Sequence, residues 1–147
     1  MINQELLAPC GLYCGVCGIL SASRDHNEKL KGKLAAAYGL KPEQIQCSGC
    51  LSNSLFTYCR VCAIRKCARD RNLEGCHLCK DFPCAHVRNY PFAEARERIM
   101  AAIPEWKRLG TEKWVEQEEK KWQCPKCQTQ LFRGARRCPK CQEPLPV

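Results

Sequence analysis

Several features that define large function classes are missing from this chain. No run approaches the roughly 18 consecutive apolar residues of a membrane span, so no membrane partner is expected. The start, "MINQELLAPC", has no basic stretch followed by an apolar core, so no export signal is expected. There is no G-x-S-x-G elbow, Walker loop, dinucleotide fingerprint or H-E-x-x-H pair, which removes the usual sequence support for hydrolases, nucleotide enzymes and zinc proteases. Acidic residues are few, 15 against 24 Lys and Arg, and there are three histidines. The chain is also short: 147 residues fall below the roughly 200 or more of an α/β barrel. That shortness bears on "CGLYCGVC" at 10–17, whose C-x3-C-x2-C spacing is the one by which radical S-adenosylmethionine enzymes hold a [4Fe-4S] cluster. An enzyme of that usual architecture does not fit here.

What is abundant is cysteine. Fifteen residues are Cys, a proportion that in a secreted protein reads as a disulfide scaffold. With no export signal expected, a cytoplasmic location is, and there thiols stay reduced and C-x2-C pairs read as metal ligands. Every cysteine falls in a group: Cys10, Cys14 and Cys17; Cys47 and Cys50; Cys59, Cys62 and Cys67; Cys76, Cys79 and Cys84; Cys124 and Cys127; Cys138 and Cys141. "CRVCAIRKCA" at 59–68 and "CHLCKDFPCA" at 76–85 share C-x2-C-x4-C-A, which predicts one loop geometry used twice. Two copies are too few for a solenoid.

The strongest signal is C-terminal. "WQCPKCQTQLFRGARRCPKCQEPLPV" reads C-P-x-C, ten residues, C-P-x-C. "TQLFR" and "ARR" around Gly134 are expected to pair as two short strands, giving a zinc ribbon whose knuckles aim Cys124, Cys127, Cys138 and Cys141 at one tetrahedral Zn2+. Ribbon knuckles favour glycine after the second cysteine, and this chain has Gln128 and Gln142 there, at a cost of about 1 kcal/mol.

Ligand arithmetic bounds the remainder. Eleven N-terminal cysteines are one short of three tetrahedral sites, and His86, two residues past Cys84, is the chosen twelfth ligand. His26 reads as a solvated residue of a helix opened by an Asp25 to Glu28 capping box, and His77 is awkwardly placed to ligate beside Cys76. Two sites with spare thiols, or bridged clusters, satisfy the same residues. About four zinc ions per chain are therefore expected, with iron-sulfur clusters as the alternative in the N-terminal part.

Metal revises the charge as well. The formal +9 counts each thiol as neutral; four occupied zinc sites bring it to about +2, because bound thiols are deprotonated. Arg60, Arg65, Lys66 and Lys80 then read as counter-charges to anionic centres, and Arg133, Arg136, Arg137 and Lys140 as the best remaining contact for phosphate. Asp70 and Asp81 read as surface or turn residues, not as catalytic bases. No catalytic residue is assigned, and the sequence leans away from an enzyme.

A stretch without cysteine joins the two regions. "NYPFAEARERIMAAI" is expected as a helix ending before Pro104, followed by a further turn or two to Gly110, with Thr111 capping "EKWVEQEEKKW". Trp106, Trp114 and Trp122, eight residues apart, predict an apolar seam for core packing or for docking the ribbon.

The run from "PCGLYCGVCGIL" through "CSGC", "CRVCAIRKCA" and "GCHLCKDFPC" resembles the prokaryotic cysteine-rich domain-of-unknown-function family 3795. All eleven N-terminal cysteines match that pattern, over residues 8 to about 86, and the helices with the terminal ribbon are similar to an extension many members carry. The resemblance implies metal binding in a cytosolic prokaryotic protein and no particular reaction. The expected architecture is a small metal-stabilised α+β protein: short helices and zinc-pinned loops over 1–88, a helical connector over 89–121, and a zinc-ribbon β hairpin over 122–147. The expected role is a metal-stapled module binding protein or nucleic acid, with electron transfer or redox sensing as the alternative.

Overall fold

The computed structural model describes residues 2–145; position 1 of the expected first domain and positions 146 and 147 of the expected ribbon lie outside them. Short helices dominate: α1 (Gly18–Arg24), α2 (Glu28–Tyr38), α3 (Thr57–Arg60), α4 (Ala63–Asp70), α5 (Ala85–Arg88), α6 (Ala93–Leu109) and α7 (Thr111–Lys121), with single 3-10 turns at Gln4–Leu6, Cys14–Val16, Pro42–Gln44 and Cys76–Leu78.

The α+β expectation is overturned. Among the described residues β pairing is limited to two isolated antiparallel bridges, Gln123 with Gln130 and Arg137 with Pro144. "TQLFR" and "ARR" do not pair with each other because their backbone groups bond elsewhere. Leu131 N–H donates to Trp122 O and Leu145 N–H to Arg136 O, each across its own knuckle, while Arg133 N–H leaves the unit for Val16 O at 2.6 Å. The C-terminal unit is thus two self-closed knuckle loops, not a hairpin.

Three helix boundaries also differ from expectation. α2 starts at Glu28 with Asn27 as its cap, accepting from Leu30 N–H at 3.0 Å, and His26 sits at φ 48° between α1 and α2 instead of in a helix. α6 runs through Pro104 to Leu109. Proline there forfeits a hydrogen bond, but Ile99, Ile103 and Trp106, all buried on one face, hold the helix continuous. Thr111 is the first residue of α7, not its cap, because its hydroxyl is occupied: it accepts from Trp106 Nε1–H at 2.9 Å and donates to Glu74.

The main core joins the N-terminal loops to the long helices. Leu7, Tyr13, Val16, Leu20, Ile64 and Val87 pack with Ile99, Ile103, Trp106, Trp114 and Val115, and the buried thiols Cys10, Cys14 and Cys50 belong to the same cluster. At its centre lies a stack of three rings. His77 lies on Trp106 at 3.9 Å and Trp106 on Trp114 at 4.3 Å, with Tyr13 edge-on to Trp114. Trp122 packs against this core and also against the C-terminal unit. The tryptophan seam therefore does both jobs foreseen for it. α6 approaches the first cysteine loop so closely that a Cβ on Gly11, at φ +87°, would lie 3.0 Å from Ile103. A second cluster holds Ile19, Ala22, Ala35, Ile45, Cys47 and Phe56 between α1 and α2, with Cys17 and Cys59 packed on it.

Candidate metal centre

The C-terminal knuckles repeat one geometry at an offset of 14 residues. Gln128 N–H donates to Cys124 O and Gln142 N–H to Cys138 O, both at 2.9 Å; Cys124 N–H donates to Thr129 O and Cys138 N–H to Glu143 O. Gln128 and Gln142 adopt φ 61° and 63°, the left-handed turn that glycine would supply without steric cost. These paired turns bring four Sγ atoms together: those of Cys124, Cys127, Cys138 and Cys141 all lie within 4.8 Å of one another. Across the knuckles, Cys124 and Cys141 are 3.5 Å apart and Cys127 and Cys138 3.6 Å. Leu131 and Ala135 seal the set from inside, with Cys124 and Cys138 buried beside them.

Its electrostatics favour thiolates. Donation from the Thr129 hydroxyl, 3.1 Å away, and then from the Thr129 amide pulls the Cys127 thiol down. The amides of Cys127 and Lys126 bracket the effect of burial to lower Cys124. The Glu143 amide favours the Cys141 thiolate, but burial and the three neighbouring thiols push Cys141 up on balance. Two easily ionised thiols beside a reluctant one form a set that a cation would complete, since metal binding supplies the charge that thiolates otherwise repel. The four residues are suited to hold one metal ion.

The eleven N-terminal cysteines are arranged differently. Cys10, Cys14, Cys47 and Cys50 are buried and the other seven half-buried, and the C-terminal four are the only set of three or more ligands within 4.8 Å among the described residues. Three of the C-x2-C segments close on themselves through the second cysteine's N–H: Cys17 to Cys14, Cys62 to Cys59 and Cys79 to Cys76. Cys17, Cys62 and Cys84 then open α1, α4 and α5 as N-cap residues. Cys50 N–H donates to Cys14 Sγ at 3.3 Å, tying the second group to the first, and Gly49 N–H donates to Cys47 Sγ. Burial raises the thiols of Cys10, Cys47, Cys59 and Cys76. Cys59 is pushed up to about 12 by desolvation and then by repulsion from Cys50, Cys47 and Cys17. Cys76 reaches about 12 in the same way, and Cys10 is raised further by burial. Cys50 is the exception, lowered by the Cys14 thiol and by Arg65.

The histidines and acids fall as follows. His86 is exposed on α5. His77 is buried, its Nδ1 lacks a hydrogen-bond partner, and desolvation lowers its pKa. Asp70 pairs with Lys66 at 2.6 Å and Asp81 with Arg71 at 3.7 Å, both at the surface. Arg133 is turned inward, its guanidinium donating to Tyr13 O at 3.0 Å beside the backbone bond to Val16 O. With Phe132 resting on Gly18, this docks the C-terminal unit on the C-x3-C-x2-C loop. Sequence reading missed this clamp because its acceptors are backbone carbonyls, which leave no mark on the residue pattern.

The model of the family described as protein of unknown function (DUF3795) matches residues 6–89. The chain belongs to this DUF3795 family. The DUF3795 match takes in all eleven N-terminal cysteines and ends before α6, so the long helices and the C-terminal knuckles lie beyond it. No curated protein and no solved structure matches the chain. No helix among the described residues is long and apolar enough to cross a membrane.

Proposed function

We propose that this protein is a metal-stapled binding module in which Cys124, Cys127, Cys138 and Cys141 hold a structural zinc ion and the DUF3795 region holds further metal. The observation that carries the reading is the convergence of the four C-terminal Sγ atoms, with separations of 3.5 and 3.6 Å across the knuckles. Zn–S bonds of about 2.3 Å place tetrahedral thiolates about 3.8 Å apart, so the set needs little adjustment to take the ion. Four protein ligands leave no open position for a substrate, which supports a structural role over a catalytic one. A cytoplasmic setting, where thiols stay reduced, suits such a donor set. The partner is a macromolecule, protein or nucleic acid, and Arg136, Arg137 and Lys140 are exposed on the C-terminal unit to meet its acidic groups.

A second reading is supported for the N-terminal part. Its thiols are gathered into shared cores yet spaced more widely than the C-terminal set, and an iron-sulfur cluster holds its thiolates further apart than one ion does because several irons and sulfides stand between them. Electron transfer or redox sensing would then be the role.

Complete chelation of the full chain without oxygen, followed by near-ultraviolet circular dichroism, tests the proposal. The stacked Trp106 and Trp114 report on the core, and their signal is expected to collapse as metal leaves, because a structural zinc site contributes on the order of 10 kcal/mol to folding. A tertiary signal that persists after mass measurement shows no metal left would contradict the stapled scaffold. Visible absorption before chelation decides between zinc alone and iron-sulfur chemistry.

A further inference from the structure

The two C-x2-C-x4-C-A copies are not used alike. In the second copy, Cys76, Cys79 and Cys84 stand on one loop, closed by Cys79 N–H to Cys76 O at 3.1 Å and ending where Cys84 caps α5. α4 packs against α5, which carries Cys67, the last cysteine of the first copy, to this loop. The junction is visible at Arg71, one helical turn beyond Cys67. Its backbone N–H donates to Cys67 O at 3.1 Å and its Nη1 donates to Cys79 Sγ at 3.2 Å. Asp81, between Cys79 and Cys84, holds that guanidinium from the loop side at 3.7 Å. The Cys76 thiol is half-buried, and after burial itself the thiols of Cys79, Cys84, Cys67 and Cys62 raise its pKa.

We propose that Cys67, Cys76, Cys79 and Cys84 are the four ligands of one metal centre, with Arg71 as its positioning cation and His86 outside it. The proposal rests on the reading that the DUF3795 region binds metal, and it specifies which cysteines share a site. Four thiolates around a divalent ion leave two surplus negative charges, and a guanidinium donating to one sulfur lowers both that charge and the nucleophilicity of the sulfur. No three of these Sγ atoms fall within 4.8 Å, so a zinc ion would draw them inward while an iron-sulfur cluster would accept a wider set. The four-thiolate chemistry is common to both. His86, at the second position of α5, is exposed, and with Cys67 present the loop needs no histidine to complete four ligands.

The test uses wild-type full-length protein purified without oxygen. Metal is withdrawn stepwise with a chelator, newly freed thiols are alkylated and mapped by mass spectrometry, and native mass spectrometry counts the metal remaining. Cys67, Cys76, Cys79 and Cys84 are expected to become reactive together, in step with the loss of one centre. Release of Cys67 with Cys59 and Cys62 while Cys76, Cys79 and Cys84 stay protected would overturn the assignment. A native mass with no metal beyond the C-terminal ion defeats instead the reading on which it rests. Colour with several irons and sulfides per centre, or a single colourless zinc, identifies the occupant, and either supports the ligand set. Among variants, C67S, C79S and the double C67S/C79S should each lose the same single centre, and H86A none; loss of a centre in H86A contradicts the proposal. R71A should keep the metal count while raising the alkylation rate of Cys79 in the metal-loaded protein about tenfold, with R71K restoring protection. An unchanged rate removes Arg71 from the account.

Discussion

The C-terminal unit and the DUF3795 region use the same residue in the same C-x2-C spacing and differ in how far hydrogen-bond donors offset burial and repulsion, with Cys141 and Cys50 running against the trend of their own region. In the C-terminal unit, backbone amides and the Thr129 hydroxyl lower Cys127 and Cys124, and four Sγ atoms converge before any ion is considered. In the DUF3795 region, Cys10, Cys14 and Cys50 are part of the main apolar core, and burial with mutual repulsion raises Cys10, Cys59 and Cys76. Spacing therefore specifies a turn that can present two thiols, whereas the surroundings decide how ready those thiols are to ionise. A knuckle whose hydrogen-bond donors outweigh burial is prepared by its own backbone; one in which burial outweighs them depends on the metal for the charge that makes its thiolates tolerable.

The sharpest way to break this comparison is to remove the C-terminal ligands. The double variant C124S/C138S is expected to forfeit on the order of 10 kcal/mol of metal-linked folding. Amide-exchange protection should vanish over 122–145 and persist around Ile99, Ile103 and Trp106, whose packing lies in the main core. Loss of protection in both places would show the two regions to be a single cooperative unit.

Acid sharpens the same contrast. A thiol whose pKa is raised holds its proton more tightly, so a metal must displace that proton against greater resistance, and it loses the competition first as pH falls. Cys59 and Cys76, raised to about 12, belong to the region expected to release metal at the higher pH. The C-terminal set has one thiol raised to about 12, Cys141, but two lowered, Cys124 and Cys127, and should retain its ion to lower pH. Native mass spectrometry through a descending pH series reads the order directly; C-terminal release first would contradict it.

A smaller effect is expected where the two regions meet. R133A removes the guanidinium bond to Tyr13 O but leaves the backbone bond to Val16 O. A charge-assisted bond at a half-buried site is worth about 1 to 2 kcal/mol. Exchange protection should fall in the C-terminal unit more than in the main core. The smallest change is stabilising: Q128G and Q142G relieve positive φ at side-chain-bearing positions and should each raise C-terminal stability in thermal melts by up to about 1 kcal/mol.

What the sequence revealed followed from local spacing. The C-terminal four-cysteine cluster is legible because four cysteines within 18 consecutive positions leave few ways to arrange two knuckles. The positive φ at Gln128 and Gln142 is legible from the C-P-x-C knuckle, although the N-terminal C-x2-C segments do not share it: Gly18, Leu51, Ala63 and Lys80 have no positive φ. The tryptophan seam is legible from its eight-residue interval, although its stacking on His77 is not, since nothing in the pattern of a C-x2-C loop shows that an intervening histidine turns into the core. The β hairpin was the wrong inference because strand propensity in "TQLFR" says nothing about which carbonyls are nearer. Trp122 and Val16 supply acceptors that the partner arm would have provided. Pro104 misled for a related reason: the local penalty is real, but burial of Ile103 and Trp106 on either side outweighs it. The proposed sharing of one centre by Cys67 and the second loop is hidden from the sequence because it depends on α4 meeting α5, a tertiary contact that cuts across the sequence repeat.

The most direct test of the account is the metal content of full-length protein purified without oxygen, measured by elemental analysis alongside a visible spectrum, for the wild type and for C124S/C138S. Wild-type protein should hold at least three metal centres, since fifteen thiols at four to a site fill three and leave three over, and the variant should lose one zinc, and only zinc. A wild type holding a single metal ion, with the eleven DUF3795 thiols free to alkylation, would contradict it.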